Sequence, residues 1–134
     1  MKKDLMKTEI MVHCGNAPKM ESVIELTIAM AKIDLDSVKQ HVRDDFVWKI
    51  VGEDDVVALN ELAHVLGEKP EIMTLNIENA LSHGNGAMCE GTVSLKDGSL
   101  LYFCTVVKFV NTAKNALVKE AHTYFVENSR NRDE

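Results

Sequence analysis

The sequence has little of what marks a membrane, secreted or nucleic-acid-binding protein. It contains no apolar run near the roughly 20 residues needed to cross a bilayer. The lysines at its start are not followed by the apolar segment of a signal peptide. Acidic residues outnumber basic ones by 21 to 15, and no basic cluster is present. Because nucleic-acid binding depends on contacts of Lys and Arg with phosphates, the sequence predicts a cytoplasmic protein that binds neither membranes nor nucleic acid.

Motifs for metals and cofactors are also missing. The three cysteines, Cys14, Cys89 and Cys104, are far apart and form no C-x-x-C pair, which favours reduced, mostly buried thiols. None of the histidines has the H-x-H or H-E-x-x-H spacing of a metal site. There is no G-x-G-x-x-G, P-loop or G-x-S-x-G motif either. The sequence therefore predicts no metal site and no nucleotide or flavin cofactor.

What is present is an ordinary globular composition, with 46% hydrophobic residues in a chain of 134. This length predicts one domain over 1–134, and the charged segments 1–15 and 128–134 are expected to be loose ends. Apolar residues at helical spacing after Pro18 predict a long helix over 18–33. Two short helices, "DSVKQHV" and "VVALNELAHVLG", are predicted on either side of a strand that contains Trp48.

The second half of the chain is predicted to form strands. Asp97-Gly98 between two alternating runs is a strong hairpin signal. The predicted strands cover 72–82, 87–96, 99–110 and 116–127. A twelve-residue strand spans roughly 40 Å, whereas a domain of this size has a radius of gyration of about 14 Å, so the sheet must curl. We predict an α+β fold in which a curled, cone-shaped antiparallel sheet wraps around the N-terminal helices.

Several segments of the chain resemble a known superfamily. They are "CGNAPK" before the first helix, "AMAKIDLDSV", "RDDFVWKIVG", "SHGNGAMCEG", "DGSLLYFCTVVKF" and "AHTYFV". Together they resemble the nuclear transport factor two-like superfamily, and more narrowly its SnoaL-like bacterial proteins. This resemblance implies a cystatin-like cone. It does not imply one activity, because the superfamily contains isomerases, cyclases, hydrolases and non-catalytic binding proteins.

Steroid isomerase chemistry is excluded by three positions. In the ketosteroid isomerases of this superfamily a carboxylate acts as base, and a tyrosine and a protonated acid act as oxyanion donors. An ungapped alignment puts Leu26 at the tyrosine and Ile50 at the base, and Thr105 falls at the acid. Leucine and isoleucine cannot transfer protons. The Asp-Arg-Asp arrangement of limonene epoxide hydrolases is also missing, since Arg43 is the only arginine before Arg130.

The resemblance implies a mostly apolar chamber with two hydroxyl groups, which we predict to be a ligand-binding pocket. Its expected residues lie on the first helix, the Trp48 strand and the last two strands. They are Leu26, Trp48, Ile50, Phe103, Thr105, Val107, Thr123 and Phe125. The alternative is that these side chains pack against each other as an ordinary core.

Glu90 is the candidate catalytic residue. The superfamily register turns Met88, Glu90 and Thr92 toward the chamber, where desolvation would disfavour the charged carboxylate and suit it to a general base. Simple amphipathicity favours the opposite register, which leaves Glu90 in solvent and buries Ala87 and Cys89.

The outer face of the sheet is expected to be a homodimer interface. Tyr102, Cys104 and Val106 are predicted to lie there beside Ala87, Cys89 and Val93, and such an apolar face is normally covered. Three functions stay open: a small-molecule binder, a cofactor-free isomerase, cyclase or hydrolase with Glu90 as base, and a non-catalytic dimeric interaction module.

Overall fold

A computed structural model describes residues 6–13, 15 and 17–128 of the chain. The described strands and helices follow one another along the chain as β1 (Lys7–Ile10), α1 (Pro18–Lys32), α2 (Leu35–His41), β2 (Val42–Ile50), β3 (Val56–Ala58), α3 (Leu62–Gly67), β4 (Ile72–His83), β5 (Gly86–Leu95), β6 (Leu100–Phe109) and β7 (Val118–Glu127). A single 3-10 turn at Leu59–Glu61 precedes α3. The predicted α+β class is therefore confirmed.

The seven strands form one curled sheet with the order β1-β4-β5-β6-β7-β2-β3. The β4 to β7 segment is the predicted antiparallel meander. The sheet as a whole is mixed rather than antiparallel, because β1 pairs with β4 and β2 pairs with β7 in parallel. These parallel pairs join strands that are distant in sequence, and no local turn signal could have indicated them.

β1 lies in the segment 1–15, which was predicted to be a loose end. It is a four-residue strand at the sheet edge, and all four residues are exposed. A strand without a buried face has no alternation to reveal it. At the other end, β7 runs to Glu127, and 129–134 lie outside the described residues.

α1 crosses the concave side of the sheet and packs against β4, β5 and β6. Pro18 occupies its first turn, where a missing N–H costs nothing. The helix ends at Ile33, which has a left-handed backbone with φ of 57°. Asp34 then caps α2, since its Oδ1 accepts from the backbone N–H of Ser37 at 3.3 Å. This sharp turn joins α1 to α2, and β2 begins at Val42, directly after α2 ends at His41.

The curl of the sheet depends on a close contact between β4 and β5. A β-bulge interrupts their register between Ile77 and Asn79, and bulges bend the strand that carries them. Beside it, a Cβ atom built on Gly91 would stand 1.8 Å from the backbone oxygen of Asn76. Only glycine fits there. Gly91 therefore allows the bent strand β4 to bring its backbone close to that of β5 on the side that faces α1.

Candidate ligand-binding site

The concave side of the sheet holds a cavity of about 220 Å³ beneath the C-terminal half of α1. Thr27, Met30 and Ala31 form its helical wall. Along the strands, alternate residues point inward with the period of two that a pleated sheet imposes. These inward residues include Trp48 and Ile50 on β2, Phe103 and Thr105 on β6, and Thr123 and Phe125 on β7. The wall is therefore mostly apolar.

Six of the eight residues predicted for the pocket lie on this wall, namely Trp48, Ile50, Phe103, Thr105, Thr123 and Phe125. Leu26 and Val107 do not. Both are fully buried, with 0% exposure, in the packed core beyond the cavity. The helical wall is instead formed by Thr27, one residue and about 100° further around α1 than Leu26. The spacing of Thr27 and Met30 at i and i+3 is the sequence signal that places both on one helix face.

Three polar side chains form a hydrogen-bonded chain on the wall, which we call the polar triad. The indole Nε1–H of Trp48 donates to Thr123 Oγ1 at 2.8 Å. Thr123 Oγ1 in turn lies 3.0 Å from Thr105 Oγ1. Thr105 and Thr123 face each other across β6 and β7, where opposed threonines bond readily. All three residues are at least 95% buried.

Thr27 adds a fourth polar group, but its hydroxyl hydrogen is already committed. Thr27 Oγ1 donates to the backbone oxygen of Val23 one turn earlier in α1, at 2.8 Å. Its oxygen also lies 3.3 Å from Cys89 Sγ. Thr27 therefore links α1 to β5 and keeps little capacity for a further donor contact.

The mouth of the cavity carries the only charged groups among the described residues that line it. Glu53, in the loop after β2, and Lys69, after α3, form an ion pair with Lys69 Nζ 3.4 Å from Glu53 Oε2. Phe125 lies at the same opening and is 42% exposed. Exposed pairs of this kind contribute little to stability. No sequence pattern predicted this charged rim, because Glu53 and Lys69 lie in two separate loops that only the fold brings together.

Neither a metal centre nor a membrane segment is found in the described part of the chain. Within it, no three His, Cys, Asp or Glu side chains are close enough together to hold a metal ion. None of its helices has both the length and the apolar character needed to span a bilayer. Among the described residues, the candidate site has three parts: an apolar wall, the polar triad and the charged rim.

No protein-family model and no curated protein matches the sequence. Solved structures do match. An NTF2-like protein of unknown function from Burkholderia xenovorans superposes with a TM-score of 0.67, at 19% identity over 87% of this chain and 88% of its own. A SnoaL-like protein from Shewanella denitrificans gives 0.67 at 14% identity, covering 84% and 92% of the two chains. An LEH-like epoxide hydrolase from Mycobacterium tuberculosis gives 0.61 at 17% identity, covering 81% and 79%.

The chain has the NTF2-like fold. The resemblance seen in the sequence is thus confirmed for the architecture. The NTF2-like fold does not assign an activity here, since these matches include both an epoxide hydrolase and a protein of unknown function.

Glu90 lies outside the NTF2-like cavity. On β5 the side chains of Ala87, Cys89 and Val93 are buried against the concave side, so Glu90 points to the convex face. There its Oε2 accepts a hydrogen bond from Asn79 Nδ2 at 3.0 Å. The prediction of Glu90 as a base in the cavity is therefore wrong. Burial of the apolar set on β5 decided the register, as simple amphipathicity indicated.

The same register corrects the predicted outer patch. Ala87, Cys89 and Val93 do not belong to it, because they are buried beneath α1. The convex face instead presents Tyr102 and Val106 on β6 with Tyr124 and Val126 on β7, at exposures between 38% and 60%. Half-buried Met88 and Cys104 complete this set of six, which we call the convex patch.

Cys104 in the convex patch is a poorly ionising thiol. Burial raises its pKa above the ordinary cysteine value, and the nearby negative charge of Glu90 raises the pKa further. Both effects disfavour the thiolate, which is the reactive form of cysteine. Cys104 is therefore unsuited to act as a nucleophile.

Proposed function

We propose that this protein binds a small, largely apolar molecule in the cavity beneath α1. The observation that carries the proposal is the cavity of about 220 Å³ that is lined mainly by apolar side chains, with a hydrogen-bonded polar group on one wall. Ligand pockets commonly combine an apolar lining with a few placed polar groups. Protein interiors otherwise pack with few voids larger than a water molecule.

The cavity volume limits the size of the ligand. An apolar cavity of about 150 Å³ holds one benzene molecule, so scaling by volume gives a ligand of about nine non-hydrogen atoms. At about 0.6–0.8 kcal/mol per atom, within the known limits for small ligands, the binding free energy is roughly 5–7 kcal/mol. This corresponds to a Kd of roughly 10–200 µM.

The test uses α-methylstyrene, an apolar molecule of this size, in isothermal titration calorimetry. We expect saturable binding to the wild-type chain. Ala31→Phe places a ring in the cavity and should abolish binding. Ala63→Phe makes the same change at an exposed position of α3 and should leave binding intact. Equal binding to both variants, or none to the wild-type chain, would contradict the proposal.

We also propose that a second copy of the chain covers the convex patch. The four strands β4 to β7 present a face of roughly 34 Å by 19 Å, comparable with the ~800 Å² that each partner of a stable complex buries. The patch has an apolar centre, and its edges carry both signs of charge, for example Glu90 and Lys108. A two-fold axis can therefore pair opposite charges.

Light scattering after size exclusion tests the dimer. We expect about twice the chain mass of 15.0 kDa for the wild-type protein. Tyr124→Glu, beside Cys104 in the patch, should give monomers, whereas Ile33→Glu, at the exposed end of α1, should not. A wild-type species of 15.0 kDa would refute the proposal. A dimer whose cavity binds nothing would favour the interaction module instead.

The predicted cytoplasmic location stays a prediction. The enzymatic alternative has lost its proposed base, since Glu90 is hydrogen-bonded to Asn79 on the opposite face of the sheet. Small-molecule binding is therefore the function that the site supports best.

A further inference from the structure

The polar triad contains one more donor hydrogen than it uses. Trp48, Thr105 and Thr123 supply three donor hydrogens, one from the indole and one from each hydroxyl. Two hydrogen bonds join them, at 2.8 and 3.0 Å, and these use two of the three. Among the described residues neither threonine hydroxyl makes another hydrogen bond.

The count is the same whichever threonine donates to the other. If Thr123 donates to Thr105, the hydrogen of Thr105 is unused. If Thr105 donates to Thr123, the hydrogen of Thr123 is unused. Both residues line the cavity and are 95% buried, and a buried donor without an acceptor costs free energy.

The other polar groups of the wall do not supply the missing acceptor. The hydroxyl of Thr27 is bonded to Val23 on the opposite, helical wall. The carboxylate of Glu53 lies at the rim in an ion pair with Lys69. The acceptor must therefore come from whatever occupies the cavity, either a ligand or water.

We infer that the ligand carries one neutral oxygen acceptor, such as a carbonyl, on its apolar body, and that this oxygen accepts the unused hydroxyl hydrogen of Thr105 or Thr123. The inference rests on the proposed binding function and specifies the chemical class of the ligand. A charged carboxylate does not fit, because among the described residues the cavity lining has one cation, Lys69, which lies at the rim and is paired with Glu53.

The test compares acetophenone with α-methylstyrene, which have the same shape and differ by an oxygen in place of a methylene group. For each protein variant, calorimetry gives the ratio of the two affinities. Comparing ratios between variants removes the difference in hydration of the free ligands, as in a double-mutant cycle.

Counting hydrogens makes a distinctive prediction for the variants. Thr105→Val leaves one unused hydrogen on Thr123, and Trp48→Phe leaves one on the threonine pair. Both should keep the wild-type ratio within about twofold. The triple variant W48F/T105V/T123V has no donor left, and its ratio should fall by about tenfold, the effect of one buried hydrogen bond.

A second readout does not require the triple variant to fold. The infrared carbonyl stretch of acetophenone bound to the wild-type chain should lie below its frequency in alkane solution, because hydrogen bonding weakens the C=O bond. An unshifted stretch, or an equal affinity ratio in the wild-type and triple variants, would overturn the inference while leaving apolar binding in place. If the wild-type chain binds neither compound, the proposed function itself fails.

Discussion

Replacing Thr123 by valine should destabilise the protein clearly more than the same change at Thr105. Valine matches threonine in shape but lacks the hydroxyl, so each change isolates hydrogen bonding. In Thr123→Val the indole N–H of Trp48 loses its acceptor while Trp48 is only 4% exposed. A buried donor without a partner costs about 1–3 kcal/mol.

Thr105→Val leaves the bond between Trp48 and Thr123 intact. It removes one neutral hydrogen bond, which contributes about 0.5–1.5 kcal/mol, and the number of unused hydroxyl hydrogens stays at one whichever threonine donates. We therefore expect Thr123→Val to be less stable than Thr105→Val by about 1–2 kcal/mol, or roughly 3–8 °C in Tm for a chain of this length.

Urea denaturation, followed by Trp48 fluorescence and by circular dichroism, measures the difference. Thr123→Ser restores the hydroxyl and should recover most of the loss, which separates hydrogen bonding from packing. If the two valine variants are equally stable, Thr123 does not hold the indole as the structure describes. The polar triad would then have to be abandoned.

Two further predictions concern the sheet. Gly91→Ala should lower the free energy of unfolding by about 3 kcal/mol or more, because its Cβ meets the backbone of Asn76 at 1.8 Å. Gly86→Ala on the same strand, whose nearest atoms lie at 3.7 Å or more, should change the free energy of unfolding by less than about 1 kcal/mol in thermal denaturation; equal losses would contradict the close contact. In the monomeric Tyr124→Glu variant, which leaves the convex patch uncovered, alkylation of Cys104, followed by mass spectrometry, should reach half its maximal rate above the ordinary cysteine pKa of about 8.5. Glu90→Gln should lower that midpoint, and an unchanged midpoint would show that the charge of Glu90 has no effect.

The parts of the fold that local patterns determine were predictable from the sequence. The helix after Pro18 and the four-stranded meander were found because their apolar residues recur with the periods of a helix and a strand. The Asp97-Gly98 turn was found from turn chemistry, and Gly98 does adopt a φ of 91°. β1 and the two parallel pairings left no such local signal.

The candidate site was predictable only where an element had one buried face. Trp48 and Ile50 were placed correctly because alternation in β2 fixes their side of the sheet. Leu26 was misplaced because α1 buries some residues in the packed core and others against the cavity. The apolar pattern of a helix shows that a residue is buried, but it does not show which of these two surroundings the residue meets. For Glu90, the burial pattern of β5 was a better guide than alignment with distant relatives.

The most direct measurement uses the single tryptophan of the chain. Its indole N–H gives one resonance in a proton–nitrogen correlation spectrum, and Trp48 lies on the cavity wall. On addition of α-methylstyrene we predict a saturable shift of this resonance in the wild-type chain and no shift in Ala31→Phe. A wild-type indole resonance that stays in place at saturating ligand would contradict binding beside Trp48.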